Sequence, residues 1–192
     1  MSAIILASTS PYRKMLLERL GLEFEAMAPD CDEDALKGLV DDPLELAERL
    51  AAAKASSIAV AHPEAIVIGS DQVADHAGTI LGKPGSSERA CAQLGAMSGD
   101  SHRLITAMCI QHQGRSIAHT DITTLHMRQL SAAAIARYVA ADQPLDCAGA
   151  YKLEQRGISL FDRIESNDHS AITGLPLIAL CTTLRDLGVE IP

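Results

Sequence analysis

The chain has 192 residues, 47% of them hydrophobic and 21% charged, enough apolar material for one buried core or for a compact domain with a small lobe. A formal net charge of −9 argues against a long polyanion such as duplex DNA as a general partner, while a small anion can still meet a local cationic pocket. Cys31, Cys91, Cys109, Cys147 and Cys181 form no CxxC pair, and no HxxxH or HExxH spacing occurs, so neither a disulfide framework nor a histidine-based metal site is indicated.

Residues 3–7 are an apolar run bounded by polar turn formers, which predicts a buried strand. Ser10 then suits an N-cap and Pro11 the first turn of a helix. Met15, Leu16, Leu17 and Leu20 mark that helix's apolar face, and Gly21 its stop. Residues 23–28 read as a second strand. Residues 29–42, "PDCDEDALKGLVDD", are acidic and read as irregular. Residues 43–60, rich in Ala and Leu, predict a helix. "AIVIG" at residues 65–69 predicts a strongly buried strand that ends at Ser70-Asp71.

Residues 73–81 contain "DHAG", a sequence suited to a hairpin tip. Residues 86–97 predict a helix. Residues 102–111 and 116–127 predict two strands joined at Gln113-Gly114. Residues 131–140 predict a helix, and residues 176–187 a last helix closed by Gly188. Alternation of strands and helices early, and paired strands in the middle, point to a mixed α/β sheet flanked by helices. The expected organisation is a single elongated domain over residues 1–192, with room for two lobes. The N-terminal apolar run is too short for a secretory segment, and no apolar stretch approaches the ~20 residues of a membrane span. The expected location is the cytoplasm.

Several stretches can carry chemistry. In "ASTSPYRK" a strand-to-helix turn presents free backbone N–H groups at the positive end of a helix, an arrangement that binds phosphate. Ser8, Thr9 and Ser10 add hydroxyls, and Arg13 adds a planar fork that fits phosphate oxygens. The plain alternative is an N-cap followed by a solvated helix face. Asp71, at the expected carboxyl end of a buried strand, can hold a divalent cation or take a proton from water. Its plain alternative is a turn cap. Lys83 in "GKP" can neutralise a phosphate or simply be solvated. Lys54 stands alone in the apolar "AAAKAS" and either snorkels to water or reaches an anion. The acidic run Asp32, Glu33, Asp34 is either a solvated loop or a source of a second metal carboxylate. Glu154 is framed by two glycines in "CAGAYKLEQRG", and "TGLPL" looks like a tight turn into a helix.

Read in order, STSPYRK, CDE, AAKA, SDQV, GKP, MSGDSH, CAGAYKLE and TGLPL resemble the Maf family of nucleoside triphosphate pyrophosphatases over nearly the whole chain. The closer resemblance is to the subgroup acting on 7-methyl-GTP, in which DQV stands where the uridine- and thymidine-nucleotide subgroup has DTV. The resemblance implies a mixed α/β fold with a cleft between two lobes. It also implies metal-assisted hydrolysis of a nucleoside triphosphate to the monophosphate and pyrophosphate. By the same resemblance Asp71 is the catalytic proton acceptor. Ser8, Arg13, Lys54 and Lys83 bind the phosphates, and Tyr12, Gln72 and Glu154 set the base. Asp71 and Glu33 would hold a divalent cation (Mg²⁺, Mn²⁺ or Co²⁺). Ala53, where relatives often carry an acid, and Ser166-Asn167, where a glycine is common, depart from the family pattern.

The implied base choice has a physical basis. Guanine presents its N1–H and N2 amino group side by side, and a carboxylate such as Glu154 can accept from both. A cationic N7-methylated purine can stack on the ring of Tyr12. The expected partner is a small nucleoside triphosphate rather than nucleic acid or membrane. The sequence is compatible with a homodimer without arguing for one. Two other readings stay open: a dTTP or UTP pyrophosphatase of the same family, and a non-catalytic nucleotide-binding regulator of septum formation.

Overall fold

A computed structural model describes residues 2–191. The elements in the first part of the chain are β1 (Ile4–Ala7), α1 (Pro11–Glu18), β2 (Glu25–Met27), α2 (Glu33–Leu39), α3 (Pro43–Ala59), β3 (Ile66–His76) and β4 (Thr79–Leu81). Then follow α4 (Ser87–Met97), β5 (Ser101–His112), β6 (Arg115–Met127), α5 (Ala132–Asp142), β7 (Phe161–Glu165), α6 (His169–Thr173) and α7 (Leu177–Asp186). The sheet has the strand order β2-β1-β3-β5-β6-β7, with β4 paired to β3. Parallel and antiparallel pairs coexist, so the fold is mixed α/β. The chain divides into two compact units, the first being Met1–Gln72, Thr106–Asp121 and Asp168–Pro192, the second Val73–Ile105 and Ile122–Asn167.

In the first unit β1 is buried along its whole length and pairs in parallel with β2 and β3. Being covered on both faces, it carries no polar residue. Ser10 caps α1, its hydroxyl accepting from the Arg13 N–H at 3.4 Å. Asp42 caps α3 by accepting from the Glu45 N–H at 2.8 Å. Leu16 and Leu17 of α1 pack with Ile66, Ile68, Met108, Leu180 and Leu184 in one apolar cluster. The buried stripe of α3 runs through Leu46, Ala47, Leu50, Ala51, Ala55 and Ile58 and includes one charged residue, Lys54.

In the second unit Ser86 and Ser131 cap α4 and α5, which pack against each other. Ala90, Leu94 and Met97 of α4 and Ile135, Tyr138 and Val139 of α5 are buried. β6 and β7 pair antiparallel from Thr124↔Glu165 onward, with a bulge between His126 and Met127. At the β3–β4 turn both Ala77 (φ 51°) and Gly78 (φ 83°) are left-handed. Two successive residues with positive φ are what a two-residue hairpin with right-handed strand twist requires.

Three expectations need correction. Residues 33–39 are helical rather than irregular: Asp32 accepts from the Ala35 N–H at 2.9 Å, and Glu33 and Asp34 complement the positive end of the helix. β3 does not stop at Gly69. Its parallel ladder with β1 ends at Ala7↔Gly69, but an antiparallel ladder with β4 resumes at Ala74, so the strand is one piece and Asp71 lies inside it. Finally, β7 and α6 appear where no element is expected. Among the described residues no helix is long and apolar enough to cross a membrane.

Candidate active site

The site is built on the contact between β3 and α3. A Cβ on Gly69 would lie 2.4 Å from the Ala51 carbonyl oxygen and 2.6 Å from the Ala55 nitrogen. Only glycine lets the helix backbone come this close to the strand. That approach sets Lys54, one turn along the buried stripe, beside Asp71. The Lys54 ammonium, 6% exposed, donates to Asp71 Oδ1 at 2.6 Å and lies 3.0 Å from Glu33 Oε1. A buried ammonium keeps its charge only with such partners, so it has reached anions rather than snorkelled to water.

Arg13 completes this group from α1. Its Nε donates to the Gly174 carbonyl at 2.9 Å. The same carbonyl is 2.9 Å from the Ser70 hydroxyl, which also lies 2.8 Å from the Ala107 carbonyl. Gly174 closes α6 at φ +116°, and its carbonyl fixes the guanidinium through the one nitrogen that is not at the fork's tip. Burial pulls the Arg13 pKa below its ordinary value, while the charges of Asp71 and Glu33 oppose that fall; the group stays cationic. Burial would raise the Glu33 pKa, but the hydrogen bond and charge of Lys54, with help from Lys37, bring it below the usual carboxylate value. Ser8, buried at the end of β1, accepts from the Ser10 N–H at 3.1 Å.

Gln72 is committed to the protein. Its amide nitrogen lies 2.9 Å from Thr106 Oγ1, 2.9 Å from the Ala171 carbonyl and 3.0 Å from the Ile172 carbonyl. Thr106 donates its own proton to Ala171 O, so it must accept from Gln72. These acceptors fix the amide with its NH₂ toward α6. Tyr12 is half-buried on α1, next in sequence to Arg13. Lys83 and Glu154 belong to the second unit and are exposed. The structure therefore brings Arg13, Glu33, Lys54 and Asp71 together, all within the first unit.

Residues that sequence reasoning passes over also shape the site. Gly69, Ser70 and Gly174 position Asp71 and Arg13. Asp168 accepts from the Ser170 N–H at 2.9 Å and the Ile178 N–H at 2.7 Å, tying the start of α6 to α7. The available signals were the glycines of "IGSD" and "TGLP". Cys31 is half-buried near the cluster; burial first, then Glu33, push its thiol pKa up, with Lys54 opposing.

Asp71 Oδ1 and Glu33 Oε1 form a two-carboxylate seat that already holds a cation, the Lys54 ammonium. Such a donor set suits a hard divalent ion that completes its sphere with phosphate oxygens and water. Among the described residues no group of three or more His, Cys, Asp or Glu side chains could hold a metal ion; the carboxylates that meet here are those of Asp71 and Glu33.

Relatives named 7-methyl-GTP pyrophosphatase resemble the chain along its length. The protein of that name from Xanthomonas axonopodis pv. citri (strain 306) is 50% identical over 192 residues, 100% of both chains. The one from Bdellovibrio bacteriovorus is 50% identical over 186 residues, 97% of both. The one from Pseudomonas aeruginosa is 46% identical over 194 residues, 100% of both. Among solved structures, the Staphylococcus aureus Ham1 protein matches with TM-score 0.56 at 13% identity, covering 96% of this chain and 99% of its own. A HAM1 protein from Coxiella burnetii gives 0.55 at 16% identity, covering 97% and 100%. These two establish likeness of fold alone. The family described as Maf-like protein matches residues 3–187, and the chain belongs to it.

Proposed function

We propose that this chain is a cytoplasmic nucleoside triphosphate pyrophosphatase that cleaves 7-methyl-GTP between its α- and β-phosphates, yielding the monophosphate and pyrophosphate. The observation that carries the reading is the buried Lys54–Asp71 pair, joined by the half-buried Glu33 and with Arg13 beside it. A buried ion pair at a strand–helix contact, with a further carboxylate and a guanidinium beside it, is costly to keep; a reaction on a polyanion explains its presence. The guanine preference is carried by the names of relatives 50% identical over the full length. The phosphate chemistry is carried by the residues themselves.

In hydrolysis a water oxygen forms a bond to the α-phosphorus and the bond to the bridging α–β oxygen breaks. Catalysis of such a step is mostly positioning and charge neutralisation. Asp71 orients the water and accepts its proton. Lys54 and Arg13 neutralise the phosphate oxygens, Arg13 presenting its terminal nitrogens while Nε stays anchored on Gly174. Asp71 and Glu33 are the side chains that would hold a divalent cation. When bound, such an ion supplies positive charge to the phosphates and acidifies water.

The test is pyrophosphate release from 7-methyl-GTP, GTP, UTP and dTTP with Mg²⁺ or Mn²⁺. Highest turnover on 7-methyl-GTP is expected. UTP or dTTP ranking first would move the chain to the other base preference. No release under any condition would leave a nucleotide-binding role without catalysis.

A further inference from the structure

Lys54 does two incompatible things in the proposed reaction. It is a cation meant for phosphate, yet its ammonium is engaged by the two carboxylates that would hold the metal. Its ammonium, 2.6 Å from Asp71 Oδ1 and 3.0 Å from Glu33 Oε1, occupies the space between the two carboxylates that would hold a divalent ion. An ammonium and a divalent cation cannot share that seat, because like charges a few ångströms apart in a half-dry site repel strongly.

We infer that Lys54 is a resident stand-in for the divalent cation: it keeps the free metal out of the Asp71–Glu33 seat and yields it only when an anionic triphosphate arrives. The charges argue for this order. Arg13 and Lys54 offset Glu33 and Asp71, and Lys37 lies 3.5 Å from Glu33 Oε2, so both carboxylates are already compensated without any ligand. For metal alone to enter, Lys54 would have to abandon both partners while 6% exposed, and a buried charge left without a partner is heavily penalised. A triphosphate changes the balance, since it gives the ammonium a new anion within reach and frees the carboxylates. Lys54 therefore withholds the Asp71 and Glu33 carboxylates until a triphosphate offers its ammonium another anion. This inference rests on the pyrophosphatase reading for the arrival of the triphosphate, but not for the exclusion of metal from the idle site.

The experiment measures Mn²⁺ binding to full-length, nucleotide-free protein by the electron paramagnetic resonance of free Mn²⁺. Lys54→Met is expected to bind Mn²⁺ at least tenfold more tightly than wild type. Lys54→Arg, which keeps the charge, should stay near wild type, and adding Asp71→Asn to Lys54→Met should remove the gain. Equal affinity of wild type and Lys54→Met, or a gain that survives Asp71→Asn, overturns the inference. A reading on wild type alone covers the case in which Lys54→Met does not fold. The Lys54 ammonium resonance should stay in place with millimolar Mg²⁺ and move when a non-hydrolysable 7-methyl-GTP analogue is added with it. Movement with Mg²⁺ alone overturns the inference. Absence of pyrophosphate release from every nucleotide would instead remove the pyrophosphatase reading and leave the Mn²⁺ comparison standing.

Discussion

The Lys54 ammonium donates to Asp71 Oδ1 at 2.6 Å across the contact between α3 and β3. Asn at position 71 keeps the size and an acceptor oxygen for Lys54, and Glu33 remains as the ammonium's counter-charge. What Asn cannot do is take a proton from water. Asp71→Asn is therefore expected to lower turnover by roughly 10²–10⁴, the range for loss of a positioned base, while the melting temperature stays within a few degrees. Asp71→Leu should behave differently, losing stability by about 3–5 kcal/mol because the ammonium is left in the interior with one partner removed. Steady-state kinetics and thermal melts separate the two. An Asn variant that turns over like wild type would take Asp71 out of the chemistry.

Gly69 sets the distance that this pair depends on. A methyl group there must push against the Ala51 carbonyl at 2.4 Å and the Ala55 nitrogen at 2.6 Å, and neither backbone atom can rotate aside. Gly69→Ala is expected to cost about 1–3 kcal/mol as an overpacking, or roughly 2–12 °C in melting temperature for a chain of this size. It should also reduce turnover, because α3 and Lys54 move off the strand together. A melt unchanged from wild type would mean that the helix does not rest on the strand as described.

Arg13 tests the difference between charge and geometry. Its Nε is held by the Gly174 carbonyl at 2.9 Å, leaving the two terminal nitrogens as a fork. Lysine has the charge but neither the anchor nor the fork. Arg13→Ala is expected to raise KM for 7-methyl-GTP at least tenfold, and Arg13→Lys to recover only a small part. Full recovery by lysine would show that charge alone is used.

Local signals made much of this molecule legible. Ser10-Pro11 marks the start of α1, Ala77-Gly78 and Gln113-Gly114 are the positive-φ turns of their hairpins, and the Ser caps of α4 and α5 fall where the residue types suggest. The site was less legible because its contacts are not local. Lys54 and Asp71 are 17 residues apart, and no periodicity links them. The polar pair Ser70-Asp71 looks like the end of a strand because sequence cannot show that Ser70 finds the Ala107 and Gly174 carbonyls inside the fold. α2 was hidden for a related reason: an acidic stretch reads as loop until Asp32 is seen to cap it.

The second unit carries a pH response that is separate from the site. His102 is 2% exposed, its Nε2 lies 2.8 Å from the Tyr151 hydroxyl, and its ring packs near Tyr151 and Phe161. Burial chiefly, and then the charge of His76, push its pKa from the ordinary 6.5 down to about 4, against the pull of Asp100 and Asp75. The unfolded chain thus binds a proton at this residue between those two values when the folded chain does not. The stabilising contribution is complete above about pH 6.5 and is lost as the pH falls toward 4. Its size is about 3 kcal/mol at 1.36 kcal/mol per pH unit. Thermal melts across this window should show a decline in wild type that His102→Gln largely removes. Glutamine keeps a polar partner for Tyr151 but cannot be charged, so a variant with the same decline as wild type would assign the response to another group.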